Sequence, residues 1–120
     1  MEEILKDTEG ELEVKSDGKV YYFKTTSLGW YEPTKIIEEH MVLEKDERRP
    51  GITAIRMEFA EIDMEILRKG IVEFKVDGTA QQISVETLKT IPFAIKDQVV
   101  QKISPNLNKE REKLKNLVKS

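Results

Sequence analysis

The chain has 120 residues, 38% hydrophobic and 36% charged, a balance that suits one globular domain with a real core and excludes a disordered or collagen-like chain. It holds no cysteine, which excludes disulfides, thiolate metal sites and a cysteine nucleophile. No apolar run approaches the roughly 20 residues that cross a bilayer.

The first stretch, MEEILKDTEGE, is acidic and lacks the basic-then-apolar order of a secretory signal, so a cytoplasmic protein with no membrane partner is expected. The net charge of −3 is unevenly spread, with 13 acidic and 8 basic residues in 1–50, 8 and 6 in 51–101, and 2 and 6 in 102–120. An acidic body with a basic tail does not announce a nucleic-acid binder. It would equally suit head-to-tail contact between subunits.

ELEVKSDGKVYYFKT predicts a β-hairpin, because Asp17-Gly18 supplies the two φ > 0 residues of a type I′ turn. Centring the turn there pairs Val14 with Tyr21 and Leu12 with Phe23 on one apolar face. Glu13, Lys15, Val20, Tyr22 and Lys24 fall on the other. SLGWYEPTK follows, with Trp30 and Tyr31 at the junction with the next element.

EPTKIIEEHMV then predicts a helix over 34–46, with Pro33 in its first turn and Ile36, Ile37, His40 and Met41 as its apolar stripe. Pro50-Gly51 ends it. Ile52, Ile55, Phe59, Ile62 and Ile66 predict a second helix over 52–69, stopped by basic residues and Gly70. Thr53, Ile55, Met57 and Phe59 also alternate as a strand would, so a long hairpin turned by KDERRPG is the rival reading.

Residues 70–78, GIVEFKVDG, match residues 10–18, GELEVKSDG, at five of nine positions. A second hairpin around Asp77-Gly78 is therefore expected, with Val72, Phe74, Val76, Gln81, Ile83 and Val85 on one face and Glu73, Lys75, Ala80, Gln82 and Ser84 on the other. IPFAIKDQVV predicts a helix with Ile95, Val99, Val100 and Ile103 inward. Ser104-Pro105 then opens a basic helix over 105–120 with a narrow strip of Leu107, Leu114, Leu117 and Val118.

The organisation reads ββαα twice, over 10–69 and 70–119. It is either a duplicated unit or hairpin grammar written twice. The expected fold is α+β: a single domain over 1–104 with a four-stranded antiparallel sheet made of two hairpins, related by a pseudo-two-fold if the repeat holds. Helices cover one sheet face, and the 105–120 helix is a candidate oligomerisation element.

No nucleotide-binding glycine loop, zinc-protease helix or serine-nucleophile elbow appears. His40, the only histidine, has no partner at metal-ligand spacing and reads as a partly buried helix residue. No catalytic, cofactor or metal residues are assigned, and no cofactor is expected. Pairs such as Glu38/Glu39 and Glu58/Glu61/Glu65 read as solvated-face charges, and the basic ERR at 47–49 as a solvated loop.

Two functions follow. The leading one is a non-catalytic protein-interaction module, a regulator or adaptor that self-associates through Leu107, Leu114, Leu117 and Val118, because a helix of this length with so few apolar residues needs a partner surface. The alternative is a single-stranded nucleic-acid binder that stacks bases on Tyr22 with Lys15, Lys24 and Lys75 around it. Trp30 and Tyr31 are candidate contacts under either reading.

Overall fold

The structure, a computed structural model, describes residues 2–45, 48, 51, 53–107 and 109, with only the backbone at 45 and 53–55. In chain order its elements are β1 (Glu2–Thr8), β2 (Glu11–Ser16), β3 (Lys19–Thr25), α1 (Tyr31–Glu39), β4 (Met41–Lys45), β5 (Thr53–Met57), α2 (Phe59–Gly70), β6 (Ile71–Val76), β7 (Thr79–Gln81), α3 (Val85–Leu88) and α4 (Phe93–Ile103). The fold is α+β. The main sheet is antiparallel, in the order β1-β2-β3-β6-β7, and β4 and β5 form a separate two-stranded ribbon.

Both Asp-Gly turns form. Asp17 and Asp77 each sit at φ 50° and Gly18 and Gly78 at φ 80°, the left-handed conformation that a type I′ turn requires. Pairing across the first turn is Ser16↔Lys19, Val14↔Tyr21 and Leu12↔Phe23, in the register read from the sequence. Asp77 also ties the two hairpins together: its Oδ1 accepts from the Val20 N–H at 2.8 Å, and its own N–H donates to the Val20 carbonyl at 2.8 Å.

The sheet has five strands, not four. The additional strand, β1, is exposed at all seven residues. With neither face buried it has no hydrophobic period to betray it, and it is held by its backbone ladder to β2. Its edge is guarded by Lys6 and by a register shift between Ile4 and Lys6, devices that discourage strand addition.

The hairpins do not obey the expected two-fold. β3 of the first lies beside β6 of the second, so inequivalent strands meet, and the matched strands β2 and β6 run parallel. The segments after them also differ, since among the described residues the ribbon β4–β5 has no counterpart in the second half.

Three further corrections have local causes. The 34–46 helix ends at Glu39, and 41–45 is strand; the 52–69 segment splits into β5 and α2. Each reading of this region, helix pair or long hairpin, therefore holds for part of it. The turn between β4 and β5 lies mostly outside the described residues. A register shift at Lys24/Thr25 turns Val72 outward and seats Ile71 in the core instead, at 55% and 4% exposure. β7 stops at Gln81 because Ser84 caps α3: the Ser84 hydroxyl accepts from the Thr87 N–H, and Thr87 returns a bond to the Ser84 N–H. Ile83 and Val85 consequently leave the sheet.

Helices cover the sheet face that carries Leu12, Val14, Tyr21, Phe23, Ile71 and Phe74. Beneath them Ile36, Ile62, Ile66, Ile95, Val99 and Ile103 are almost wholly buried. Phe23 and Phe74 stack at 5.0 Å between ring centroids, across the β3–β6 seam. Gly70 does not act as the left-handed stop that its place after Arg68-Lys69 suggests. It is the last residue of α2, is buried, and lies so close to α4 that a Cβ would sit 2.3 Å from the Ile103 side chain. Among the described residues no helix is long and apolar enough to cross a membrane.

Candidate functional site

The period-2 pattern of β2, β3 and β6 sends Lys15, Tyr22, Lys24 and Lys75 to the sheet face opposite the described helices. Their neighbours there are acidic. Cross-strand pairs are Glu3↔Lys15, Lys6↔Glu13, Glu11↔Lys24 and Lys24↔Glu73, so lysines and glutamates alternate over the face. The Tyr22 hydroxyl donates to Glu11 Oε2 at 2.7 Å. The Lys75 ammonium lies 5.6 Å from the Tyr22 ring centre and pairs with Glu73 at 3.0 Å. The Glu11 hydrogen bond holds the Tyr22 phenol protonated, with its pKa pushed up to about 12, and lowers that of Glu11. Tyr22 is thus engaged from the side and from above.

Trp30 and Tyr31 are adjacent exposed aromatics outside the core; Phe93, on α4, is also exposed. They start α1, where Thr34 anchors the turn by donating its hydroxyl to the Trp30 carbonyl at 2.7 Å. Trp30 is 75% exposed and Tyr31 57%, and their rings meet edge to face at 5.6 Å. A groove of about 560 Å³ runs from Trp30 past Pro33 to the 104–107 turn, where Leu107 is buried. Of the predicted strip, Leu107 lies here, and Leu114, Leu117 and Val118 lie outside the described residues.

His40 caps the C-terminal end of α1 and faces two acids. Its Nε2 is 2.8 Å from Glu65 Oε2 and its Nδ1 is 3.4 Å from Glu58 Oε1. Burial works against the imidazolium, but the Glu65 and Glu58 hydrogen bonds outweigh it, and the net shift is upward. A pKa raised on folding stabilises the fold below the unfolded-state value of about 6.5 and ceases to do so as pH rises through the folded value. Urea unfolding of wild type and His40→Ala across pH 5–9 should therefore show their stability difference greatest at the acid end and shrinking as pH rises. A difference that grows with pH would contradict this assignment. Among the described residues no three His, Asp or Glu side chains are grouped to hold a metal ion.

Sequence reasoning missed a cleft of about 630 Å³ between α2 and α4. Asp63, only 6% exposed, receives a 2.7 Å hydrogen bond from Lys96, which also bonds Asp97 at 2.7 Å and stands 4.3 Å from the Phe93 ring centre. Burial opposes the charge on Lys96, yet the two carboxylates raise its pKa overall. The legible signal was Asp63 inside the apolar i, i+4 row Phe59–Asp63–Leu67, since a buried acid needs a cation. Its partner, 33 residues away, carried no mark.

Comparison of the chain with protein-family models, curated proteins and solved structures finds no match.

Proposed function

We propose that this chain is a small non-catalytic protein-interaction module that self-associates, with the Trp30–Tyr31 corner and the groove beside it as the contact surface. The observation that carries the reading is the exposure of these two adjacent rings at the start of α1. Leaving a Trp and a Tyr in water forgoes roughly 1.5–3 kcal/mol of burial each on the scale of large apolar side chains. Rigid aromatics also make effective interface anchors, because little conformational freedom is lost when they are covered. The basic residues of 102–120 against an acidic body provide a complementary charge pattern between copies.

Light scattering across a concentration series tests it. Wild type should gain mass with concentration, and Trp30→Ser/Tyr31→Ser should stay monomeric with an unchanged circular dichroism spectrum. Equal masses for the two proteins at every concentration would remove the assignment.

The second reading, a single-stranded nucleic-acid binder, draws support from Tyr22 on the open sheet face with Lys75 above it. Against it stand the glutamates opposite the lysines, which leave little net positive potential for phosphates. Anisotropy of labelled oligo-dT decides: salt-sensitive binding lost in Tyr22→Ala would favour nucleic acid over the protein contact.

A further inference from the structure

The cleft between α2 and α4 lies next to the groove at the aromatic corner, with which it shares Ser104 and Leu107. The Asp63–Lys96 bond and the Gly70–Ile103 contact lie seven residues apart on both helices, so the helices run in the same direction. They are in tight contact at Gly70 and Ile103. Toward their N-terminal ends Lys96 reaches across to Asp63, and Phe59, Ala60 and Phe93 line the opening. The floor is apolar, formed by Leu67, Leu88, Ile91, Val100 and Leu107, all buried. A volume near 630 Å³ and an apolar floor with few polar groups are the features of a small-molecule site.

The charge at the opening is what selects the ligand. Lys96 is already shared between Asp63 and Asp97. Lys89, on the same wall, has no carboxylate partner among the described residues. Both long helices begin at this end; α2 carries Glu58 as its N-cap and Glu61 in its first turn, whereas α4 has neither an acid in its first turn nor a side chain bonded to its free N–H groups. The acid-free N-terminus of α4 and Lys89 thus both border a cleft with an apolar floor.

We propose that this cleft binds a small amphipathic anion, its aryl or acyl body on the floor and its anionic group at the opening against Lys89 and the first turn of α4. The test uses two dyes on the full chain: anilinonaphthalene sulfonate, which carries the charge, and phenylnaphthylamine, which lacks it. Both should saturate at one site per chain. Lys89→Glu should weaken the sulfonate about fivefold at low salt and leave the neutral dye unchanged. Ala60→Trp or Gln101→Trp, each at an exposed position on the cleft wall, should block both dyes without altering cooperative unfolding. Unsaturable binding of either dye, equal effects of Lys89→Glu on the two, or binding that survives both tryptophan variants would each overturn the proposal.

Discussion

Phe74→Ala should lower the unfolding free energy by about 3–5 kcal/mol, the cost of truncating a buried aromatic. Phe74 is 1% exposed and Phe23 is wholly buried. Their rings are nearly parallel, 8° apart, and lie directly opposite on β3 and β6. That seam joins the two hairpins, so the lost contact cannot be recovered within either one. A domain of this size is typically stable by only about 5–15 kcal/mol, and the variant should be close to unfolding at 37 °C. Phe23→Ala should cost a similar amount. In a double-mutant cycle the pair should couple by about 0.5–1.5 kcal/mol, beyond the area each ring buries. Additive losses in urea unfolding would show that the stack contributes nothing of its own, and a small loss for Phe74→Ala would place β6 elsewhere.

Gly70→Ala should be destabilising by about 1–3 kcal/mol, although alanine ordinarily favours a helix over glycine by about 1 kcal/mol. The new methyl would lie 2.3, 2.6 and 2.7 Å from three carbons of Ile103. Ile103 has no room to yield: its side chain is fully buried and β-branched, so χ1 is stiff in a helix. The expected fall in melting temperature is about 4–12 °C. Ile103→Ala in the same chain should relieve the clash, making the double variant less unstable than the two losses added. If Gly70→Ala raises the melting temperature, α2 and α4 do not meet here.

These two sites mark what the sequence could and could not convey. Asp17-Gly18 and Asp77-Gly78 announce their turns because few residue pairs accept two positive φ angles, and with the turn fixed the two-residue period assigns Leu12, Val14, Tyr21 and Phe23 to one face. β1 was illegible for the opposite reason: with every residue exposed, it leaves no burial pattern. Residues 34–57 misled because Ile36, Ile37, His40 and Met41 keep helical spacing across a boundary set elsewhere. His40 ends α1 as its side chain turns toward Glu58 and Glu65, and no local rule reports acids 18 and 25 residues downstream. Gly70 was seen as a stop by position alone, whereas its role is defined by Ile103 on another helix.

The candidate site divides the same way. The cluster Trp30-Tyr31 stood out by composition, but its exposure depends on where α1 begins relative to the sheet. Tyr22 could be assigned to the open face from strand alternation, while its bond to Glu11 required the register of β2 against β3. The α2–α4 cleft needed the docking of two helices that the sequence treats as separate stripes.

Acrylamide quenching of the single tryptophan over a range of protein concentrations is the most direct test of the interaction surface. Trp30 should be readily quenched in dilute solution, as its exposure requires, and increasingly protected as copies associate, with Tyr31→Ser abolishing the protection. Quenching that is the same at every concentration at which light scattering shows association would place the contact elsewhere and contradict the assignment of the Trp30–Tyr31 corner.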